Sequence, residues 1–495
     1  MKANLKAVIE GVDLTQVLGP AEIDITGICY HSRKAGRGSL FACIKGAKVD
    51  GSAFAGDAVG RGAVATLSDR PLALPREVTQ LVATDVRRAL AGISSRFFGR
   101  PSERIKMVGV TGTNGKTTTA HYVRSVVEAS GGRAGVMGTL GHWVGDGFTK
   151  DAFTTPEAPE VQGYIARMVS GGLTHCVMEV SSHAIALRRA DQVDFDVVAF
   201  TNLTRDHLDF HPDFEAYRRT KMELFGIGER GHGFGAARKA AINVSDATGR
   251  LIRDLSPLPG LTFAVGADAD VRADIERLDW HGIRMAITHR GGTRTVETAL
   301  RGRINAENSL AAYTVGLLLG LDPDAVAQGI AGLRAVSGRM EYVEGPDRQA
   351  IVDYAHTPDA LERLLAGVRE IRAGRIICVF GCGGDRDRGK RPQMAKIAAD
   401  LADFVIVTSD NPRTEDPAKI IQEIVNGLPP GAPHEVVPDR ARAIERAVAL
   451  SGPRDVIVIA GKGHEDYQIV GETRIHFDDR EVVRKAFEAV ANAEA

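Results

Sequence analysis

The chain has 495 residues, and at about 150 residues per domain this length predicts about three domains. A single core would be unusual at this length, because cores rarely grow past about 250–300 residues. Apolar residues make up 44% and charged residues 25%, which is typical of globular proteins and excludes the disordered and fibrous classes. The 62 basic and 63 acidic residues give a net charge of −1, which argues against binding of polyanions over the whole surface but allows a local phosphate site.

Cysteine usage and the first residues favour a cytoplasmic protein. The five cysteines are scattered and odd in number, which is not the pattern of a disulfide framework and favours a reducing compartment. Residues 1–6 lack the apolar stretch of a secretory signal, and no apolar run approaches the ~20 residues that span a bilayer. We expect a cytoplasmic monomer that binds neither membranes nor nucleic acid.

The first hundred residues read as short strands broken by glycines. A helical pattern over residues 86–98 then leads into Gly99-Arg100-Pro101, which is typical of a linker. We therefore place a first, smaller α/β domain at residues 1–100.

The second stretch, residues 101–336, predicts a parallel sheet covered on both faces. Residues 104–110 read as a strand, a glycine-rich turn follows, and residues 117–130 have helical spacing. Apolar runs at 177–180 and 197–200 end in polar residues. Residues 306–319 read as a buried helix that stops at Gly320.

The third stretch, residues 337–495, predicts a Rossmann-like α/β domain. Strand candidates at 350–353, 376–380, 404–408 and 455–460 alternate with helical patterns. Ligands of such sheets bind beyond the carboxyl ends of the strands. The polar segments that follow these four strands, at 354–356, 381–386, 409–413 and 461–465, are therefore expected to converge on one crevice.

A glycine-rich loop between a strand and a helix predicts a phosphate site. The segment is Thr111-Gly112-Thr113-Asn114-Gly115-Lys116-Thr117. Glycines allow backbone N–H groups to cradle phosphate oxygens, and the helix N-terminus adds partial positive charge. Lys116 can reach the β and γ phosphates, and Thr117 can ligate Mg²⁺. Val110 stands where the strict pattern has glycine, so the loop is a variant, and the alternative is a turn without a ligand.

Four further residues raise the question of a metal site. Glu179 ends a strand, where a carboxylate suits a hard cation. His207 and His211 are four residues apart, as in zinc sites on helices, but Pro212 follows at once and no third soft ligand is nearby. Lys221 falls in an amphipathic helical pattern, which by itself predicts a solvated surface lysine.

Taken together, these strings resemble the Mur ligases, the ATP-dependent amide-bond ligases of peptidoglycan synthesis. The resemblance is carried by the glycine-rich loop and by Glu179-Val180-Ser181-Ser182-His183, Thr201-Asn202-Leu203, Arg205-Asp206-His207-Leu208-Asp209 and Asp353-Tyr354-Ala355-His356-Thr357-Pro358. Two more strings, Gly384-Asp385-Arg386-Asp387 and Asp410-Asn411-Pro412-Arg413, are similar to those of the members that add diaminopimelate.

The resemblance implies an N-terminal domain for the UDP end, a central ATPase domain, and a Rossmann-like domain that closes over the site. It implies catalytic roles for Lys116, His207 and Lys221, with Lys221 carbamylated so that it becomes an anionic ligand of a second Mg²⁺. The implied metal ligands are Thr117, Glu179, His207 and Lys221. The implied nucleotide contacts are Gly112, Thr113, Asn114, Gly115, Lys116, Thr117, Thr118, Asn305, Asn308, Arg339 and His356. Without the resemblance, Asn305 and Asn308 would read as helix-capping groups.

The resemblance also implies two further substrates. For UDP-N-acetylmuramoyl-L-alanyl-D-glutamate, the matching contacts are Ser32, Thr154, Thr155, Ser182 and Arg189. The chain departs from the family pattern at His31, where aspartate is common, and at Leu187, where glutamine is frequent. For meso-diaminopimelate, the matching contacts are Arg386, Asp410, Asn411, Pro412, Arg413, Gly461 and Glu465.

The chemistry of diaminopimelate gives these residues distinct roles. Arg413 offers a planar fork for the distal carboxylate, and Arg386 is a second cation, whereas the acidic and amide groups would hold the distal ammonium. A lysine substrate would leave the guanidinium groups unpaired. Read without the family, Asp410-Asn411-Pro412-Arg413 is a turn.

Two alternatives share the phosphate loop. A folylpolyglutamate synthase-like ligase would use a folate and glutamate, but we would not expect Asp-Asn-Pro-Arg in it. A regulatory or transport ATPase would hydrolyse ATP without an amino-acid substrate. A Mur ligase, as the resemblance implies, would instead convert a carboxylate to an acyl phosphate, and an amine would then attack the acyl carbon.

Overall fold

The protein is described by a computed structural model that covers residues 1–46, 49–145, 147–150, 153–228, 237–345, 348–372 and 374–494. Within these residues, three sheets of five or more strands follow one another in sequence. The overall architecture is therefore α/β, as predicted.

The N-terminal sheet has five strands in the order β2-β7-β6-β5-β4, and β1 pairs with β3 beside it. The strands are β1 (Ala3–Asn4), β2 (Gln16–Leu18), β3 (Asp24–Ile25), β4 (Gly27–Cys29), β5 (Ser39–Ala42), β6 (Ala63–Ser68) and β7 (Thr79–Val82). The helices are α1 (Leu5–Ile9), α2 (Ala55–Gly60) and α3 (Val86–Phe97), with 3₁₀ turns at Ser32–Lys34 and Gly51–Phe54. Helix α3 begins where the Asp85 side chain accepts a hydrogen bond from the Arg88 N–H.

The central sheet has eleven strands in the order β11-β10-β9-β12-β8-β13-β14-β15-β16-β17-β18. Its strands are β8 (Lys106–Thr111), β9 (Ala134–Gly138), β10 (Gly141–Val144), β11 (Gly147–Thr149), β12 (His175–Glu179), β13 (Val197–Phe200), β14 (Lys239–Asn243), β15 (Gly260–Val265), β16 (Val271–Asp279), β17 (Gly282–His289) and β18 (Gly292–Thr298). The seven strands from β9 to β16 in this order are parallel, and the edges are antiparallel. Hydrophobic cores cover both faces, as the continuous apolar runs predicted.

Helices on both faces complete this region. They are α4 (Lys116–Ala129), α5 (Ala158–Ser170), α6 (Ser182–Ala186), α7 (Phe214–Met222), α8 (Ala247–Leu255), α9 (Arg303–Leu319) and α10 (Pro323–Gly332), with 3₁₀ turns at Pro101–Arg104 and Glu223–Phe225. Helix α9 is buried and ends at Gly320 with φ 77°, which confirms the predicted helix and its stop.

The C-terminal sheet has six strands in the order β19-β20-β24-β21-β22-β23, all parallel except β19. The strands are β19 (Glu341–Glu344), β20 (Gln349–Asp353), β21 (Ile376–Phe380), β22 (Phe404–Val407), β23 (His434–Val436) and β24 (Val456–Ala460), and β25 (Tyr467–Val470) pairs with β26 (Thr473–His476). The helices are α11 (Pro358–Ile371), α12 (Lys390–Leu401), α13 (Pro417–Val425), α14 (Arg440–Leu450) and α15 (Asp479–Glu494). All four predicted strands are present. In the part of the chain that is described, no helix has the length and apolar character to cross a bilayer.

A buried ion pair joins α14 to α15. The Arg440 guanidinium donates to both Asp479 carboxylate oxygens at 2.7 and 2.8 Å, and neither side chain is exposed. Asp479→Asn would leave a buried cation without its counter-charge, which costs about 3–5 kcal/mol. We expect a clear fall in the thermal unfolding temperature of this variant.

The exposed pair between Arg446 and Glu435 provides the control. Glu435→Gln should leave the unfolding temperature unchanged, because exposed pairs contribute little. Equal shifts in the two variants would show that burial does not set the strength of the Arg440 pair.

Candidate active site

One cavity of about 550 Å³ lies where the central and C-terminal sheets meet. It is bounded by the loops that follow the carboxyl ends of β8, β12 and β13 and by the loop after β20. Strand β8 lies between β12 and β13, so its glycine-rich loop is at the centre of the sheet edge. The predicted residues that line the cavity are Thr113, Asn114, Gly115, Lys116, Thr117, Thr118, Thr154, Thr155, Glu179, Arg189, His207, Asn305, Asn308, Arg339, His356 and Arg386.

The glycine-rich loop forms a backbone cradle at the start of α4. Gly112 and Gly115 have φ values of 149° and 86°, which L side chains rarely adopt. A Cβ atom at Gly112 would lie 1.9 Å from Thr201 Oγ1, and one at Gly115 would lie 2.2 Å from Asn308 Oδ1. Both positions therefore require glycine. The N–H groups of Thr113 and Asn114 donate to Asn202, whereas no side chain caps the N-terminus of α4, which leaves the first-turn N–H groups as donors for a phosphate chain.

Lys116 is folded back onto the loop. Its Nζ donates to the backbone carbonyls of Gly112 at 3.0 Å and Thr113 at 2.9 Å. Burial lowers the pKa of Lys116, and the nearby carboxylates of Glu179 and Asp206 offset this only in part. A phosphate group in the cradle would supply further negative charge, so the lysine fits an anionic ligand.

Glu179 lies at the end of β12 and is almost fully buried. Its carboxylate accepts hydrogen bonds from Thr117 Oγ1 at 2.9 Å, from the Thr139 N–H at 2.8 Å and from Thr139 Oγ1 at 3.1 Å. The carboxylate and the Thr117 hydroxyl are therefore adjacent oxygen donors beside the phosphate cradle, which is the donor set that Mg²⁺ prefers.

Lys221 is buried, with 1% of its surface exposed, so the surface position predicted from its helical pattern is wrong. Helix α7 packs on the phosphate loop, and Lys221 Nζ donates to the Gly112 carbonyl at 2.8 Å and to Thr111 Oγ1 at 3.4 Å. Burial, together with the nearby Lys116 charge, holds the pKa of Lys221 well below its usual value. The side chain is thus biased toward the neutral amine.

His207 lines the cavity from the segment between β13 and α7, and neither it nor His211 lies on a helix. His207 has a left-handed backbone with φ 55°, and its ring centroid is 5.0 Å from that of His183. Burial lowers the pKa of His207, which favours the neutral ring that binds metals. Within the described ranges, no three His, Cys, Asp or Glu side chains are grouped closely enough to hold a metal ion by themselves.

The asparagines of α9 do not cap it, because Gly302 is the N-cap residue and no side chain caps there. Asn308 Nδ2 donates to Asn305 Oδ1 at 3.0 Å, and Asn305 Nδ2 donates to the Arg301 carbonyl at 2.8 Å. The capping alternative is therefore wrong, and the linked amides form one wall of the cavity.

Two residues of the C-terminal region, Arg339 and His356, line the wall of the cavity that faces the phosphate loop. Arg339 donates to Thr117 Oγ1 at 3.4 Å, and its guanidinium lies 4.6 Å from the centre of the Tyr354 ring. His356 stacks at a tilt on the same ring, with centroids 4.6 Å apart. Arg339 thus carries positive charge across the cavity to the phosphate loop.

Thr154, Thr155 and Arg189 line the cavity beside this loop. Arg189 is buried and forms an ion pair with Glu157 at 3.0 Å, a partner that the sequence analysis missed although it follows the threonine pair closely. Ser182 is also buried, and its Oγ has no hydrogen-bond partner among the described residues.

Ser32 lies apart from this cavity, in the N-terminal 3₁₀ turn. Hydrogen bonding to Ser32 helps to hold the pKa of Asp57 below its usual value. The two departures from the family pattern also lie outside the cavity lining: His31 is exposed, and the Leu187 carbonyl accepts from Arg87 at 3.4 Å.

The residues predicted for the incoming amino acid form a second cluster, and of these only Arg386 lines the cavity among the residues described. The cluster contains Asp410, Asn411, Pro412, Arg413, Gly461 and Glu465. Asn411 Nδ2 donates to Glu465 at 2.9 Å, and the buried Lys462, which the sequence analysis missed, donates to Asn411 Oδ1 at 3.1 Å and to Glu465 at 3.2 Å. Asn411 Oδ1 also accepts from the Ile469 N–H.

Arg413 donates from one nitrogen to the carbonyls of Gly384 at 2.8 Å and Asn411 at 3.5 Å. Among the residues described it forms no ion pair, although, besides the hydrogen bonds from Thr414, its charge helps to lower the pKa of the Asp385 carboxyl. A guanidinium without a carboxylate partner fits a ligand that brings a carboxylate.

Asp359 on α11 was also missed by the sequence analysis. Its carboxylate accepts from Asn114 Nδ2 at 2.7 Å and from Thr204 Oγ1 at 2.8 Å. It therefore ties the C-terminal region to the phosphate loop. No local pattern marked it, since its partners lie 245 and 155 residues away.

The fold and this site are those of a three-part ATP-dependent ligase family. The chain matches the Mur ligase family catalytic domain over residues 24–97, the Mur ligase middle domain over 110–316 and the Mur ligase glutamate ligase domain over 338–463. The chain belongs to the Mur ligase family.

Individual relatives give a narrower similarity. The chain is 42% identical to the UDP-N-acetylmuramoyl-L-alanyl-D-glutamate–2,6-diaminopimelate ligase of Syntrophomonas wolfei, with 94% of this chain and 95% of that protein covered. It is 43% identical to the ligase of the same name from Solibacter usitatus, over 97% and 98%. A solved structure of a ligase of this name has a TM-score of 0.70 and 32% identity, and covers 99% of this chain and 100% of its own.

A folylpolyglutamate synthase from Thermotoga maritima is similar in fold alone. Its TM-score is 0.57 at 17% identity, and the match covers 76% of this chain and 90% of that structure.

Proposed function

We propose that this protein uses ATP to join meso-diaminopimelate to the D-glutamate γ-carboxylate of UDP-N-acetylmuramoyl-L-alanyl-D-glutamate, in peptidoglycan precursor synthesis. The observation that carries the proposal is one cavity that contains a phosphate cradle, a buried carboxylate and guanidinium groups from both sheets. The full-length similarity to ligases of that name supports the same substrates.

The proposed division of labour assigns residues 1–100 to the UDP end, 101–336 to ATP and 337–495 to the amino acid. Each range contains a sheet of its own, which supports these boundaries. We further propose a cytoplasmic monomer. All five cysteines are buried and free, in keeping with a reducing compartment.

The first step activates the acid. The γ-carboxylate attacks the γ-phosphate of ATP, which gives an acyl phosphate and ADP, because oxide is a poor leaving group and phosphate is a good one. Little covalent chemistry falls to the protein, which positions the reactants and neutralises charge on the transferred phosphoryl group. Lys116 and Arg339 are placed to do this from opposite walls of the cavity.

In the second step the diaminopimelate amine attacks the acyl carbon and phosphate leaves. Water would compete for the same carbon, so the central and C-terminal regions must stay packed together around the cavity to exclude it. The Asp359 contacts with Asn114 and Thr204 support a role in holding that closed form. Asn305, Asn308 and His356 are proposed to contact the nucleotide from the remaining walls.

Mg²⁺, when bound, would neutralise phosphate charge and orient the phosphate oxygens. Thr117 and Glu179 are proposed to hold one ion, with His207 and carbamylated Lys221 around the second. The hydrogen bond between the Thr117 hydroxyl and the Glu179 carboxylate supports the first assignment. The lowered pKa of Lys221, which favours its neutral amine, supports the second. A carbamate forms only on an unprotonated amine, by addition of CO₂ with loss of a proton.

Carbamylation of Lys221 gives a direct test. We expect ¹³CO₂ to produce a carbamate carbon signal in the NMR spectrum of the purified protein, and we expect Lys221→Arg to lack it, because an arginine is never a free amine. Activity should fall when CO₂ is removed and return with bicarbonate. A spectrum unchanged by Lys221→Arg would show that the carbamate is elsewhere or absent.

For the second substrate, Arg413 and Arg386 are proposed to bind the distal carboxylate, with Asp410, Glu465 and the Gly461 carbonyl near the ammonium. Arg413 donates only to backbone carbonyls and forms no ion pair among the residues described, which supports its part. For the UDP-dipeptide, we propose contacts from Ser32, Thr154, Thr155, Ser182 and Arg189. The unpartnered buried Ser182 hydroxyl supports its inclusion.

Phosphate release from ATP tests the proposal against its alternatives. We expect release only when both the UDP-dipeptide and diaminopimelate are present, and much less with lysine in its place. Release with a folate and glutamate would favour a folylpolyglutamate synthase. Release without any amino acid would favour a regulatory or transport ATPase.

A further inference from the structure

We propose that Glu415 is a positioning residue that fixes the Arg386 and Arg413 guanidinium groups relative to each other, and thereby sets selectivity for a substrate with a distal carboxylate. The inference rests on the function proposed above. Glu415 itself lies two residues beyond Arg413, and nothing in its local sequence marks it. Its contacts in the fold single it out.

The Glu415 carboxylate joins two loops through one buried cation. It accepts from both terminal nitrogens of Arg391 at 2.9–3.0 Å and from the Asp385 N–H at 2.5 Å. Arg391 has no exposed surface and also donates to the Gly383 carbonyl at 3.3 Å. The loop that carries Arg386 is therefore bonded to the segment that carries Arg413.

The same two segments are also joined by hydrogen bonds in which the Arg413 segment donates and the Arg386 loop accepts. The Asp385 carboxylate accepts from the Thr414 hydroxyl at 2.8 Å and from the Thr414 N–H at 3.2 Å. Asp385 and Arg413 both have left-handed backbones, with φ of 53° and 52°. Such values are unfavourable for arginine, and less so for aspartate, and surrounding contacts stabilise them. Glu415 supplies one of those contacts.

A carboxylate is needed at position 415 because it must accept from two sides. One Glu415 oxygen accepts from Arg391 and from the Asp385 N–H, and the other accepts from Arg391 alone, so in either orientation the amide NH₂ of a glutamine would face the Arg391 guanidinium. The neighbouring Glu423 provides a matched control. It accepts from Arg391 at 2.7 Å and from the exposed Arg388 side chain, but among the residues described it accepts from no backbone N–H of the Arg386 loop and contacts nothing in the Arg413 segment.

The test compares Glu415→Gln with Glu423→Gln, since each removes one negative charge beside Arg391. We expect E415Q to raise the KM for diaminopimelate at least about tenfold, because small misplacement of binding groups is amplified in affinity. The preference for diaminopimelate over lysine should fall in parallel, while the KM for ATP stays within about twofold. E423Q should leave all three values close to those of the parent.

Equal effects of the two variants, or an equal rise in the KM for ATP, would overturn the inference. If E415Q does not fold, Thr414→Val provides a second test. It removes the hydrogen bond from the exposed Thr414 hydroxyl to the Asp385 carboxylate, which also joins the two segments. It should raise the diaminopimelate KM about threefold or more, as loss of one hydrogen bond allows. No change in that variant would then count against the inference. The parent enzyme is assayed first: if it does not use diaminopimelate, the proposed function fails, whatever the variants do.

Discussion

Lys116→Ala is expected to lower kcat by at least about 10³-fold, since loss of a preorganised charge on the transferred phosphoryl group has effects of this order. The Nζ atom sits in the loop, 2.9–3.0 Å from two carbonyls, and burial lowers its pKa. A bound triphosphate would restore the positive charge and draw the side chain toward the β and γ phosphates. With alanine at this position, the negative charge that develops on the transferred phosphoryl group in the transition state is left without the lysine that would neutralise it. Phosphate release with both substrates present is the measurement.

Lys106→Ala is the matched control for this prediction. Lys106 begins β8, the strand that leads into the glycine-rich loop, and its exposed side chain pairs with Asp196. The variant removes the same charge at the far end of that strand from the loop, so we expect parental kcat. Undiminished ATP consumption by Lys116→Ala would remove the phosphate assignment from the glycine-rich loop.

Local sequence pattern predicts the sheets well because the strands are continuous apolar runs between polar or glycine-rich turns. The run predicted at 376–380 is strand β21 without change, and those predicted at 404–408 and 455–460 differ from the structure by one residue. Parallel strands buried on both faces have no exposed side chains that would disturb such runs. The helix that stops at Gly320 is predictable for a similar reason, since glycine alone adopts the left-handed stop at no steric cost.

The same local pattern misplaced Lys221. An amphipathic helix tells which side chains share a face, but it does not tell what packs on the polar face. In the structure that face meets the phosphate loop, where the partner carbonyl of Gly112 is 109 residues away. The family resemblance, and not the pattern, had singled this residue out.

Residues that act through distant partners escaped sequence reasoning altogether. Asp359, Lys462 and Glu415 each read as ordinary charged residues near a turn or a helix start. Their contacts bridge segments that are far apart in the chain or belong to different loops. Only the topology, which brings the ends of β20, β21, β22 and β24 to one edge, gives them partners.

Arg413→Ala is expected to raise the KM for diaminopimelate by about a hundredfold, with the KM for ATP nearly unchanged. Truncating one partner of a desolvated charge pair costs about 2–5 kcal/mol, and each 1.4 kcal/mol is a factor of ten. Arg413 donates only to backbone carbonyls and forms no ion pair within the described residues, so a substrate carboxylate would be the first carboxylate that it hydrogen-bonds. Steady-state kinetics with each substrate varied in turn measures both constants.

Arg388→Ala controls for loss of a positive charge in the same region. Arg388 lies in the loop that carries Arg386, is exposed, and pairs with Glu423. We expect its kinetics to match those of the parent. The decisive comparison is with lysine as substrate, which has no distal carboxylate for Arg413 to bind. Arg413→Ala should therefore lose most of its efficiency with diaminopimelate and little with lysine, so that the two substrates become nearly equivalent. An equal loss with both would place Arg413 at the shared α-amino acid end or in the fold, and the carboxylate assignment would be abandoned.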